Sequence, residues 1–262
     1  MLEKNTSPIT YNGDFYVAQA NELVRGKQDD LTLVEAKLIR LAIAQILKND
    51  EDFRTYQCNV SELAAFLGIS TNNIYRDIKN ISTSLMKKSI FIVDKSTPKR
   101  AGEHNYEAFN WVDYIRYKDG VLTIRLNENL KPYLIGLNEL FTTYGYSAIV
   151  SLPSNYSIRF YELIASYYSM KNHCKIYDGI SLDKNEFVLS IEYLRNFFNC
   201  ENKYPNTNDF IKRTIDSSID ALRKHAFLFV SYRTITTGRK ITHLVFKASS
   251  TSFVYGRHEL DN

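Results

Sequence analysis

A chain of 262 residues with 44% hydrophobic content is long for one domain, comfortable for two, and apolar enough to bury a real core. Three cysteines without a CxxC pairing, no basic-then-apolar leader and no apolar run near the roughly 20 residues that span a bilayer argue against a disulfide framework, a zinc site and a membrane anchor. A soluble protein of the reducing cytoplasm is expected. The net charge of +4 hides an asymmetry: residues 71–100 carry seven Lys/Arg against two Asp, residues 203–247 carry nine against three, and the rest of the chain sums to −7. Positive charge held in two places suits a polyanion partner, and solvated basic faces are the plainer alternative.

Residues 1–13 are polar and read as a loose arm. "LTLVEAKLIRLAIAQIL" (31–47) has helical periodicity, with Thr32 as cap and Glu35 three residues on. Its wide apolar face is expected to carry a homodimer contact. "NVSELAAFLGI" (59–69) reads as a short helix begun by Ser61 or Asn59 and stopped by Gly68. "STNNIYRDIKNISTSLMKKS" (70–89) is a longer helix capped by Ser70 or Thr71, and "SIFIVD" (89–94) a strand. Lys87 and Lys88 are explained by the helix dipole, with DNA contact as the other reading. "FNWVDYIRYKDGVLTIRLN" (109–127) alternates on both sides of Asp119-Gly120, a hairpin turn signal. Trp111 reads as packing.

In the second half, "YSIRFYELIASYYSM" (156–170) is an amphipathic helix whose aromatics read as packing, and "LSIEYLRNFFN" (189–199) is a short helix capped by Ser190. "NDFIKRTIDSSIDALRK" (208–224) places Ile211, Ile215, Ile219 and Leu222 on one stripe and Lys212, Arg213, Asp216, Ser217 and Asp220 opposite. The strand "FLFVSYRT" (227–234), a turn at Thr237-Gly238 and the strand "KITHLVFKA" (240–248) follow.

The two halves repeat one order: short helix, long polar-faced helix, β-hairpin. Val60, Leu63, Phe66 and Leu67 match Ile191, Leu194, Phe197 and Phe198 at an offset of 131. Ile74, Arg76, Ile78 and Leu85 match Ile211, Arg213, Ile215 and Leu222 at an offset of 137, so the second copy has six more residues between its helices. That longer approach, "NCENKYPNT", is expected to let the second long helix project further. Helix, turn, helix and hairpin make a winged helix, so the expected fold is α+β with two tandem winged-helix domains, over 1–140 and 141–262. A major groove about 12 Å wide accepts one α-helix, and a wing carrying Arg239 and Lys240 can lie on neighbouring phosphates.

With tandem winged helices in place, the chain resembles the replication initiator (Rep) proteins of theta-replicating iteron plasmids. "VAQANELVRGKQDDLTLVEAKLIRLAIAQI" (17–46), "VSELAAFLGIS…NIYRDIKNISTSLMKKSIFI" and "FIKRTIDSSIDALRK" carry the resemblance, over roughly residues 10–250. It implies a double-stranded DNA partner, the repeated origin sequences called iterons. It also implies a homodimer in equilibrium with monomer, and a host replication initiator and helicase as further partners. Monomers would open the origin and dimers repress the protein's own promoter. The implied reading face is Asn208, Asp209, Lys212, Arg213, Asp216 and Ser217, with wing contacts from Arg233, Arg239 and Lys240. Asn72, Asn73, Tyr75, Arg76 and Lys79 are the implied backbone contacts of the first domain, which also supports the dimer.

An enzyme is not expected. No GxxxxGK[ST] is present, and the five His (104, 173, 225, 243, 258) form no HxH or HxxxH pair to hold a metal beside a nucleophilic Tyr. Neither cofactor nor membrane partner is implied, and Cys58, Cys174 and Cys200 are expected to be inert. A winged-helix transcription repressor without replication activity is the alternative; a paired winged-helix interaction scaffold leaves the charge clustering unexplained.

Overall fold

The computed structural model describes residues 6–9, 15–94, 105–168, 176–177, 180–183 and 186–250. Cys174, His104, His173 and His258 lie outside them, as do Lys95, Lys99 and Arg100 of the first basic stretch. The first half runs β1 (Thr6–Pro8), β2 (Tyr16–Ala20), α1 (Asn21–Arg25), β3 (Lys27–Gln28), α2 (Leu33–Ile43), β4 (Thr55–Asn59), α3 (Val60–Leu67), α4 (Thr71–Leu85), β5 (Ser89–Asp94), β6 (Asn105–Asn110), β7 (Val112–Lys118), β8 (Val121–Leu126), α5 (Lys131–Leu134), β9 (Phe141–Gly145) and α6 (Ser147–Val150). Helix α7 (Asn155–Tyr168) leads to β10 (Ile176–Tyr177), β11 (Ile180–Ser181), β12 (Glu186–Ser190), α8 (Ile191–Phe197), α9 (Thr207–Phe210), a π-helical segment (Ile211–Asp216), α10 (Ser217–His225), β13 (Leu228–Thr237) and β14 (Lys240–Ser250).

Local chemistry sets the helix starts. Thr32 Oγ1 accepts from the Glu35 amide at 3.3 Å and Glu35 Oε2 accepts from the Thr32 amide at 2.8 Å, a complete capping box on α2. Ser190 Oγ accepts from the Tyr193 amide at 3.0 Å. Asn59 and Ser70 occupy the N-cap positions of α3 and α4 but make no side-chain capping bond. Gly68 ends α3 at φ +64°. Its counterpart at the same offset of 131, Asn199, follows α8 at φ +51°, and asparagine is the usual substitute for glycine there. The internal duplication holds in burial: Ile74, Ile78 and Leu85 are buried, as are Ile211, Ile215 and Leu222.

Four elements differ from the sequence expectation. Of the expected loose arm, Thr6–Pro8 forms β1, paired parallel with β4 (Thr6↔Thr55), and Ile9 is buried. Residues 109–127 are not one hairpin. Phe109 and Asn110 end β6, which pairs antiparallel with β5 (Ile90↔Phe109) in a sheet of order β3-β5-β6. That pair is the first wing, and its return strand was hidden because an exposed edge strand has no apolar alternation to show. Strands β7 and β8 do form a hairpin at Asp119 and Gly120, both with positive φ, but in a separate sheet of order β1-β4-β8-β7. Helix α2 ends at Ile43 and is buried nearly all round, Glu35, Lys37 and Arg40 included. Its apolar face is therefore core and is closed to a second copy. Helix α7 is not amphipathic either: every residue from Ser157 to Ser166 is buried, because it lies between the two halves.

That position is fixed by charge. Arg40 of α2 donates to Glu162 of α7 through Nε (3.0 Å) and Nη2 (2.9 Å), and both side chains are 0% exposed. Gln19 and Tyr144 also donate to Glu162 Oε1, and Arg40 lies 5.2 Å from the ring of fully buried Trp111. Burial pushes the Glu162 carboxyl up, but the Arg40 charge and hydrogen bonds, with Arg159 and Tyr144, outweigh it and hold the group below its ordinary value of 4.5. Next along α7, Arg159 donates to the Val24 and Gly26 carbonyls at 2.9 and 2.8 Å, with its guanidinium 4.0 Å from the Phe197 ring of the second half. The other flank of α7 carries Tyr156 against Phe198 and Phe160 against Phe246. One hydrophobic core runs through both halves.

Removing one partner of a buried ion pair typically costs about 3–5 kcal/mol, since a charge is left unmatched. Glu162→Ala should lower the urea midpoint of the whole chain accordingly. The folded-state carboxyl lies below its unfolded value, so its contribution is whole above pH 4.5 and is lost as pH falls through the folded-state value. The gap between wild type and Glu162→Ala should therefore be smaller at pH 3 than at pH 6.

Candidate nucleic-acid interface

From Thr207 to His225 the second long helix runs unbroken through its π-helical segment. Asn206 Oδ1 accepts from the Asn208 amide at 2.8 Å and starts it. Phe210, Ile211, Ile215, Ala221 and Leu222 anchor it in the core. Thr214 and Ser218 are also buried, and their hydroxyls donate to the Phe210 and Thr214 carbonyls four residues back. These internal bonds satisfy polar groups that the apolar stripe alone would not predict.

Asn208, Asp209, Lys212, Arg213 and Ser217 are exposed together on the opposite face. Asp216 is not free with them. Tyr232 of β13 donates its hydroxyl to Asp216 Oδ1 at 2.8 Å, so this carboxylate ties the helix to the wing. Burial, and then the carboxylate beside it, push the Tyr232 hydroxyl up to about 12. Sheet order β12-β14-β13 places the wing outside β12, and Arg233 of β13 pairs with Glu186 of β12 at 3.1 Å. Arg239 and Lys240 stand exposed at the wing turn beside Gly238, whose φ is +61°. Among the described residues, Lys212, Arg213, Arg239 and Lys240 have no carboxylate partner.

In the first half, Asn72, Asn73, Tyr75, Arg76 and Lys79 share the exposed face of α4. Arg76 differs from its match, Arg213. It donates Nε and Nη2 to the two carboxylate oxygens of Asp77, each at 3.0 Å. Lys88 donates to the Asp30 carbonyl at 2.6 Å, a structural use.

The residues between α8 and α9 reach back to the first half. Asn199 donates to the Gln28 carbonyl (2.6 Å) and to Asp30 (2.9 Å), Lys203 pairs with Asp30 (2.9 Å), and Lys27 pairs with Glu201. This segment straps the second winged helix to the first. Sequence reading missed the strap, because a polar loop carries no signal for a distant partner. It also missed Glu186 and Tyr232, whose roles depend on strand register. Burial and nearby Glu62 push the Cys58 thiol up to about 12, which makes it a poor nucleophile. Among the described residues, no group of three His, Cys, Asp or Glu could hold a metal ion, and no helix is long and apolar enough to cross a membrane.

Two helix-and-wing units on one core define a tandem winged-helix protein of α+β fold. Residues 16–165 match the family model described as Initiator Replication protein, WH1, and residues 190–248 match Initiator Rep protein, WH2. The chain belongs to this replication-initiator family. It is similar to an Escherichia coli "Replication initiation protein" (26% identical over 79% of this chain) and an Escherichia coli "PI protein" (26% identical over 83% of this chain). It spans 62% of the length of the former and 77% of the latter. A crystal structure of RctB domains 2-3 aligns with a TM-score of 0.44 at 10% identity, over 85% of this chain and 83% of that one.

The Asp216–Tyr232 bond separates a structural acid from an exposed one. A hydrogen bond to a charged group is worth about 1.5–3 kcal/mol when buried, and less at this half-buried site. Tyr232→Phe should cost about 1 kcal/mol by urea denaturation. Asp209→Asn, on the open face, should stay within about 0.5 kcal/mol.

Proposed function

We propose that this protein binds repeated sequences in a plasmid origin through its second winged helix and promotes opening of that origin. The observation that carries the reading is that Lys212 and Arg213 on the helix and Arg239 and Lys240 on the wing are exposed and, among the described residues, have no carboxylate partner. A helix anchored by one apolar stripe and free on its other face fits the major groove, where a bidentate arginine reads guanine. Asn208, Asp209, Lys212, Arg213 and Ser217 would meet base edges, and Arg233, Arg239 and Lys240 the flanking phosphates. Asp216 would keep helix and wing in one orientation. Membership in an initiator family favours initiation over repression alone, and dimers would still repress the promoter.

The first winged helix would position and assemble. Asn72, Asn73, Tyr75, Arg76 and Lys79 suit backbone contacts, since a guanidinium already shared with Asp77 has fewer donors for a base edge. With α2 closed, the first wing is the homodimer surface we favour. Val93 and Tyr106 are opposite one another across β5 and β6, are 58% and 65% exposed, and Tyr106 lies on the edge strand of the sheet. The host replication initiator and helicase are the further partners of this reading.

Footprinting on the DNA flanking the gene tests the reading. Direct repeats are expected; a lone inverted repeat would favour the repressor. Binding should weaken with salt at a slope of about −0.9 per phosphate contact in log K against log salt. In competition between a footprinted repeat and a scrambled duplex, Arg213→Ala should reduce the affinity ratio by the equivalent of about 1–3 kcal/mol. Arg76→Ala should weaken both duplexes alike and lower the salt slope by about one unit. Tyr106→Glu in the full chain should shift sedimentation at micromolar concentration toward monomer.

A further inference from the structure

Resting on the reading of Arg213 as a base contact, we propose that Tyr204 is a positioning residue for sequence discrimination. Its ring holds the Arg213 guanidinium in place without consuming an N–H donor. The guanidinium carbon of Arg213 lies 5.7 Å from the centroid of the Tyr204 ring, within the range over which an aromatic face attracts a cation. Tyr204 belongs to the six-residue excess that the first winged helix lacks.

The tyrosine is held there against its backbone preference. Its φ is +51°, a left-handed conformation that disfavours a residue with a bulky side chain. Besides the strap to the first half, Arg195 braces the loop from within. Arg195 donates Nη1 to the Cys200 and Lys203 carbonyls at 3.2 and 2.8 Å and Nη2 to the Tyr204 carbonyl at 2.8 Å. Its guanidinium also lies 4.6 Å from the Phe210 ring, at the start of the helix it serves. Strain persists only where the surroundings over-determine it, and such places cluster at working sites.

Comparison of the two units says what the ring is for. Arg76 has Asp77 as partner, and that carboxylate occupies Nε and Nη2. At the offset of 137 the residue matching Asp77 is Thr214, which turns inward and bonds the Phe210 carbonyl. The second unit has therefore replaced an acid by an aromatic face. A carboxylate competes with guanine O6 and N7 for the guanidinium fork. A ring leaves all five N–H groups available and fixes only the plane's position. The ring should contribute to the difference between right and wrong sequence and little to general attraction for phosphate.

Competitive binding of full-length variants to a footprinted repeat duplex and a scrambled duplex tests this. Tyr204→Asn keeps a residue that tolerates the left-handed backbone and removes the ring. It should lower the specific-to-scrambled ratio about two- to five-fold, with affinity for the scrambled duplex unchanged. Tyr204→Phe should keep the wild-type ratio. Adding Tyr204→Asn to Arg213→Ala should lower the ratio no further. If Arg213→Ala lowers the ratio and Tyr204→Asn does not, the positioning role is wrong while the base contact stands. An equal loss from Tyr204→Asn in the Arg213→Ala background, or a parallel fall in scrambled-DNA affinity, also overturns it. If Arg213→Ala itself leaves the ratio intact, the base contact falls and the positioning role with it.

Discussion

Arg40 and Glu162 meet where no water reaches them, and the placement of both long helices follows from that meeting. A carboxylate with no solvent demands a cation and hydrogen-bond donors. Arg40, Gln19 and Tyr144 supply them from α2, β2 and β9. Helix α7 is thereby held at one rotation about its axis, since turning it would strand the charge in apolar surroundings. With that rotation set, Arg159 reaches the Val24 and Gly26 carbonyls, and Tyr156 and Phe160 face the second half. Such a pair typically adds little net stability over a well-packed apolar substitute, while breaking it by removing one partner is costly. A polar strap centred on Asp30 then holds the second winged helix against the first.

On this frame one structural unit is used twice with different electrostatics. Burial along α4 and along the second long helix follows the same apolar positions, so both present a polar face with an arginine at the same place. The surroundings of the two arginines differ. Arg76 shares its charge with the adjacent Asp77, whereas Arg213 stands beside a ring and next to Lys212. The extra residues of the second unit do two jobs at once: Asn199, Glu201 and Lys203 reach back to the first winged helix, and Tyr204 reaches forward to Arg213. Asp216, which sequence places among the reading residues, accepts from Tyr232 and couples helix to wing.

The parts of this arrangement that were legible in the sequence are those carried by local periodicity and local chemistry. The capping box at Thr32 and Glu35, the stop at Gly68, the turn at Asp119-Gly120 and the isoleucine stripe of the second helix all act within a few residues. What stayed hidden acts over distance. Strand β6 (Asn105–Asn110) is exposed along most of its length, so no alternation marks it, and its partner lies across a polar stretch. Helix α2 has a broad apolar face that reads equally well as core or as a contact with a second copy; only the positions of the elements packed on it, β2, α3, α4, β8 and α7, decide between them. Arg159 and Glu162 look like the polar side of an amphipathic helix until their partners on α1 and α2 are known. Asn199 carried a usable signal, since it falls where Gly68 falls in the first copy.

The central claim is that the second winged helix reads sequence while the first holds the backbone. Methylation interference at guanine N7 tests it most directly, because a methyl group there blocks a bidentate arginine without altering phosphate charge. The account predicts interference at a guanine in each repeat that disappears as a determinant in Arg213→Ala and persists in Arg76→Ala. Interference that persists in Arg213→Ala and vanishes in Arg76→Ala would contradict it.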